Sequence, residues 1–226
     1  MKLLLSCEHG GNQIPEKYAG LFTNAGETVN THRGFDDGAL SLFRAIEQRC
    51  HVIFSIHSEV TRLLVDSNRS IYRSSLFSEF TKTLDHKTKN ELLQLYYYPF
   101  RRAFREQVVN AIDGGDTVFH LSVHAFTPEI NGKVRDADIG LLFNPAHGTE
   151  KRMAVEWRRI LKQTFPKFVI RFNYPFLGKP DGHVAPLRKE FGNKYTGFEI
   201  ELNSKHANIR GINEKIAISV NKLMRK

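Results

Sequence analysis

Several polar residues stand where apolar runs give out. KLLLSC (2–7) passes directly into Glu8-His9-Gly10-Gly11-Asn12, and TVFHLSV (117–123) ends at His124. TGFEIELN (196–203) carries Glu199, Glu201 and Asn203, while Asp36 and Asp37 precede a helical pattern that starts at Ala39. Two histidines and a carboxylate gathered at one point, with another carboxylate nearby, could hold a catalytic zinc that keeps one position open. Such an ion lowers the pKa of its water and polarises a carbonyl, while the free carboxylate moves the proton. The compact H-E-x-x-H spacing is missing. The same residues therefore also read as hydrogen-bonded core histidines and surface carboxylates.

TRLLVDSNRS (61–70) offers a second chemistry, with Arg62, Asp66, Asn68 and Arg69. A guanidinium binds a carboxylate bidentately at fixed geometry, so Asn68 and Arg69 after an apolar run make a carboxylate clamp. The alternative is that Asp66 and Arg69 pair with each other across a turn. In IRFNYPFLGKPDGH (170–183), Arg171 and Asn173 close a strand pattern and a Pro- and Gly-rich loop follows. Loops of this kind wall a pocket or simply turn the chain.

The elements that would position these residues alternate. Strand patterns cover 2–6, 51–56, 117–124, 138–143, 167–172 and 196–202. Helical patterns run from Ala39 to Arg49, over two segments between Leu76 and Asp113 separated at Tyr98-Pro99, over 148–165, and over 211–224. This alternation, without repeats or a linker, predicts one α/β domain over 1–226 with a mixed, mostly parallel central sheet flanked by helices. In open α/β sheets ligands bind at the carboxyl ends of the strands, where His9, His124 and Glu201 fall.

Composition agrees with a folded domain: 226 residues, 41% hydrophobic and 25% charged. Disordered, collagen-like, coiled-coil and disulfide-scaffold classes are excluded. Cys7 and Cys50 beside apolar runs read as buried free thiols. The three leucines at the start fall far short of a signal or membrane segment, which predicts a cytoplasmic protein. Thirty-three Lys+Arg against 24 Asp+Glu give a net charge of +9, but the basic pairs are scattered. Solvated helix faces or a small acidic substrate account for them, and nucleic acid is not expected.

Taken together, SCEHGGNQIP (6–15), DDGA (36–39), TRLLVDSNRS, YPFR (98–101), HLSVHAFTP (120–128), RDADIGLLF (135–143), RFNYPFLGKPDG (171–182) and GFEIELN (197–203) resemble the N-formylglutamate amidohydrolase family. The likeness runs in order from Leu3 to Asn203. It implies a fold similar to zinc carboxypeptidases and aspartoacylases, and hydrolysis of an N-acyl amino acid, in the type reaction N-formyl-L-glutamate to formate and glutamate. It also implies one zinc or other divalent ion held by His9, His124 and a carboxylate, with Asp36 the first candidate and Glu8 or Asp37 the others. Glu201 is then the general base and acid, and Arg69 with Asn68 and Arg62 the substrate-carboxylate site. Arg171 and Asn173 become pocket residues for a second carboxylate or for the oxyanion.

The chain departs from the pattern in two places. Asn12 stands where zinc carboxypeptidases carry a Glu three residues after the first His, and Tyr97 and Phe100 stand in a segment where relatives often carry His. Two other readings remain: a metal-dependent deacylase or peptidase with a different substrate, and a non-enzymatic polyanion-binding protein.

Overall fold

The chain runs β1 (Lys2–Cys7), α1 (Ala39–Arg49), β2 (Val52–His57), α2 (His86–Leu92), α3 (Tyr98–Asp113), β3 (Val118–Phe126), β4 (Glu129–Ile130), β5 (Lys133–Val134), β6 (Ile139–Leu142), α4 (Gly148–Thr164), β7 (Ile170–Phe172), α5 (Val184–Phe191), β8 (Tyr195–Asn203) and α6 (Ile212–Met224). The computed structural model describes residues 1–207 and 209–225. Six strands form one sheet in the order β2-β1-β3-β8-β6-β7. β2, β1, β3 and β8 are parallel, β6 is antiparallel to β8, and β7 is parallel to β6. This is a single-domain α/β fold with a mostly parallel sheet, as expected.

Side chains alternate across a strand, and here the alternation separates stability from chemistry. Leu3, Leu5 and Cys7, then Phe119, Leu121 and Val123, then Phe198, Ile200 and Leu202 pack in one core with Phe43 of α1, Trp157 of α4 and Ile216 of α6. Each such side chain, fully buried, contributes about 1.5–3 kcal/mol. On the opposite face Leu4, Val118 and Tyr195 meet Phe104 of α3 and Leu187 of α5. Toward the carboxyl ends that face becomes polar, with Ser6, His120, Ser122, His124, Glu199 and Glu201 all buried. The chain leaves β1 for β2 through α1 and returns through α3 to the other side of β1 as β3. The crevice at this reversal is where α/β sheets bind ligands.

The structure corrects the sequence reading in three local places. The helix expected from Leu76 begins at His86, where the Asp85 side chain accepts the Thr88 N–H at 2.8 Å. Pro99 does not separate two helices: it sits in the first turn of α3, where a missing N–H costs little, and a π turn over Leu93–Tyr97 joins α2 to α3. α5 lies in a stretch to which the sequence reading assigned no element. It is anchored by Arg188, whose buried guanidinium binds Glu150 Oε1 at 2.7 Å and the carbonyls of Gly178 and Gly197 at 3.1 Å. Cys7 and Cys50 are free thiols, the first buried and the second half-buried. Among the described residues no helix is long and apolar enough to cross a membrane.

Candidate metal and active site

Three separate segments meet at the crevice. His9 lies just beyond β1, and its carbonyl accepts the Asp36 N–H at 2.9 Å, which ties the two loops together. Asp36 is held by the turn into α1, where Gly38 has a φ of 89° and a Cβ would stand 2.5 Å from the Ala207 Cβ. His124 is near the carboxyl end of β3, and its register partner on β8 is Glu201.

One ligand atom from each of His9, Asp36 and His124 lies within 4.8 Å of the other two. Asp36 Oδ2 is 3.5 Å from His9 Nδ1 and 2.8 Å from His124 Nδ1. Arg62 binds the other Asp36 oxygen, so Oδ2 is left to face the imidazoles. The outer nitrogens are oriented in turn. His9 Nε2–H donates to Asp66 Oδ1 at 2.6 Å. His124 Nε2 lies 2.9 Å from Ser122 Oγ, which donates to Glu8 Oε2 at 2.7 Å. Carboxylates behind the rings in this way fix the tautomer and direction of metal-binding histidines.

The electrostatics fit a cation. Burial and then the Arg62 charge lower His9 to about 4, so its imidazole is neutral. Its Nδ1 is buried without a hydrogen-bond partner among the described residues. Burial opposes charge on Asp66, but His9 and Arg62 outweigh it and hold that carboxyl well below the usual range. Burial likewise opposes charge on His124, yet the hydrogen bond and charge of Glu8, with Glu201 and Glu199, raise it, so positive charge is favoured at this point. Burial pushes Glu201 up to about 7 and also raises Glu199. Glu201 Oε2 is buried and unpartnered among the described residues.

His9, Asp36 and His124 open into a cavity of about 570 Å³ whose lining also includes Glu199, Glu201, Arg62, Asn68 and Arg69. That size suits a small-molecule ligand. Arg69 Nε lies 3.8 Å from Asp66 Oδ2, and its side chain is more than a third exposed. Asn68 is already engaged: Oδ1 accepts the His183 N–H at 2.6 Å and Nδ2 lies 3.3 Å from His124 Nε2. Gly182 presses on the same group, since with a φ of +100° its Cβ would be 2.9 Å from Asn68 Oδ1. Of the other carboxylates weighed for the triad, Asp37 is exposed, and Glu8 is bound to Ser122 and His183 behind His124.

Arg171 and Asn173 do not reach the cavity, which corrects their expected place. β7 is the outermost strand, separated from β8 by β6, and Arg171 turns outward to pair with Asp136. Asn173 shapes the following loop, with a φ of 49° and Oδ1 accepting the Phe143 and Gly178 N–H groups at 3.1 Å. Asn12 donates to Asn30 at 2.9 Å. Tyr97 donates to the Arg69 carbonyl at 2.8 Å, and Arg101 donates to the Ser67 and Arg69 carbonyls at 3.0 and 3.1 Å. Phe100 packs against His183. The two aromatic departures therefore buttress the wall from behind. The sequence reading assigned no site role to Arg135 or His32, which also line the cavity. Arg135 had a signal, since it opens the RDADIGLLF motif.

None of the curated proteins matches the chain. The crystal structure of a gene product of Agrobacterium tumefaciens has the same fold, with a TM-score of 0.82, 24% identity, and 99% of this chain and 89% of that one covered. The crystal structure of N-formylglutamate amidohydrolase from Ralstonia eutropha gives a TM-score of 0.72 at 15% identity, covering 100% of this chain and 93% of that one. The family model described as N-formylglutamate amidohydrolase matches residues 1–206. The chain thus belongs to the N-formylglutamate amidohydrolase family, a family of amidohydrolases.

Proposed function

We propose that this chain is a metal-dependent amidohydrolase that cleaves the N-acyl amide of an N-acyl amino acid, with N-formyl-L-glutamate to formate and L-glutamate the first reaction to test. One observation carries the reading. The buried, unpartnered His9 Nδ1 and the His124 Nδ1 face the same oxygen of Asp36, in a cavity that also holds the free oxygen of Glu201. His9, Asp36 and His124 would hold one divalent ion, and two imidazoles with a carboxylate suit zinc. Bound there, the ion would supply an acidified water and a polarised carbonyl.

Glu201 takes the proton of the attacking water and returns it to the leaving nitrogen. Arg69, its backbone held by Tyr97 and Arg101, receives the substrate α-carboxylate and fixes the amide in place. Arg62 keeps Asp36 turned toward the histidines, and Asn68 keeps the cavity wall against His124. A small anionic amino-acid derivative and a cytoplasmic location belong to the same reading.

The protein supplied with zinc and N-formyl-L-glutamate is expected to release formate and glutamate in equal amounts. Glu201→Gln is expected to lower kcat by on the order of 10²–10⁴-fold with bound metal unchanged. Near-normal turnover by that variant would remove Glu201 from its role. Cleavage of another N-acyl amino acid in place of this one would keep the chemistry and change the substrate.

A further inference from the structure

Two chemically different groups of residues share the cavity. Arg69 and Asn68 belong with the Asp181–Gly182 turn: the Ser70 N–H donates to Asp181 Oδ1 at 3.2 Å, and Gly182 lies against Asn68 Oδ1. The other group is apolar, made of Phe126, Ile130, Phe176 and Leu177. Phe126 stands two residues beyond His124 on the same face of β3, about 7 Å further along the strand. The Arg135 guanidinium draws this group together, 5.9 Å from the ring centre of Phe126 and 5.4 Å from that of Phe176.

Phe176 and Leu177 are 49% and 66% exposed, yet the loop that carries them is anchored. The Gly178 N–H donates to Asn173 Oδ1, and the Gly178 carbonyl accepts from the buried Arg188, both at 3.1 Å. A Cβ on Gly178 would stand 2.2 Å from the Phe143 nitrogen, so the loop is pressed against the residue that follows β6. Ile130 is held as well, since the Arg135 N–H donates to the Pro128 carbonyl at 2.7 Å across the β4–β5 hairpin. The fold thus keeps large apolar side chains in water at the edge of the cavity. Covering them is favourable for an apolar ligand group.

The two halves of an amide lie on opposite sides of its carbonyl. With the α-carboxylate on Arg69 and the carbonyl at the histidines, the amino-acid half lies toward Arg69 and the acyl half toward Phe126 and Phe176. A formyl group has only a hydrogen beyond its carbonyl and leaves those rings uncovered. We infer that this chain acts on amino acids whose nitrogen carries an apolar acyl group several carbons long, and that Phe126, Ile130, Phe176 and Leu177 form the acyl site. The inference rests on the amidohydrolase reading and deepens it by naming the acyl class. Water adds its oxygen to the acyl carbon, the C–N bond breaks and the nitrogen takes up a proton. The products are an apolar carboxylic acid and the free amino acid. Contacts to the acyl chain lie away from the reacting atoms and act on kcat/KM.

The test gives the zinc-loaded protein the N-formyl, N-acetyl, N-butanoyl and N-hexanoyl derivatives of L-glutamate and of L-alanine, and reads release of the free amino acid. Acetyl, butanoyl and hexanoyl amides have nearly the same intrinsic reactivity, so a slope among them reads the acyl site alone. kcat/KM is expected to rise about threefold per added methylene, with hexanoyl roughly 10- to 100-fold above acetyl and above formyl. The double variant Phe176→Ser, Leu177→Ser changes two exposed side chains and is expected to lower the hexanoyl-to-acetyl ratio roughly tenfold. A flat or falling series, formyl preferred over hexanoyl, or an unchanged ratio in the double variant would overturn the inference and leave the amidohydrolase reading standing. Release from none of the compounds would overturn both.

Discussion

His124 on β3 and Glu201 on β8 are direct register partners on adjacent parallel strands, side by side on the polar face of the sheet. Strands in a sheet stand about 4.8 Å apart, so backbone hydrogen bonds, and no loop, set the spacing between the proposed ligand and the proposed base. Ser122 and Glu199 form the next pair back along the same two strands. A site carried on central strands keeps its geometry better than one carried on loops.

Asp66 is the residue behind His9. Asp66→Asn keeps an oxygen for the Asn68 N–H, which Oδ1 accepts at 2.9 Å, but removes the charge that His9 Nε2 points at. Metal affinity, measured by competition with a chromophoric chelator, is expected to fall 10- to 100-fold, a range of roughly the size seen for such outer carboxylates. Unchanged affinity would mean that Asp66 serves the turn alone.

Arg69 is assigned to binding. Arg69→Gln is expected to raise KM for N-acyl amino acids by roughly 10- to 100-fold and to change kcat far less. A fall in kcat at constant KM would contradict a carboxylate clamp at this position.

Asp138 gives a pH dependence away from the site. Partial burial works to raise its carboxyl, but hydrogen bonds from Lys205, His206 and the Val169 N–H outweigh it and lower the carboxyl below its ordinary 3.8. A carboxyl lowered on folding contributes stability above the unfolded value and loses it as pH falls through the folded one. Asp138→Asn is therefore expected to lower Tm by about 3–10 °C at pH 7. The difference should shrink as the pH is taken progressively below 3.8 and the folded carboxyl takes up its proton. A gap in Tm that does not narrow with acid would show that packing, and not the charge, is what the carboxylate contributes.

The sequence carried the sheet and the heart of the site more clearly than its outskirts. His120, Ser122 and His124 at every second position, and Glu199 and Glu201 likewise, are one face of two strands, and period two survives in the primary structure. Apolar partners at Phe119, Leu121 and Val123 say which face is core. Asp36 was within reach because it stands ahead of α1, although its union with His9 depends on a backbone hydrogen bond that no local pattern encodes.

Arg171 was misplaced because alternation in a three-residue edge strand does not say which side faces the cavity. Pro186 within α5 and Gly182 just ahead of it masked the helical pattern there, and the Arg188–Glu150 pair that anchors the helix spans 38 residues of chain. Arg135 opens a motif visible in the sequence, but its place on the cavity wall depends on two rings brought to it by β3 and a distant loop.

The most direct measurement is metal content per chain in wild type and His124→Ala, both purified without chelator. About one zinc per wild-type chain and little or none in the variant are expected, with the variant still folded by circular dichroism. No metal in either protein after zinc is supplied, or equal metal in both, would contradict the proposed metal site.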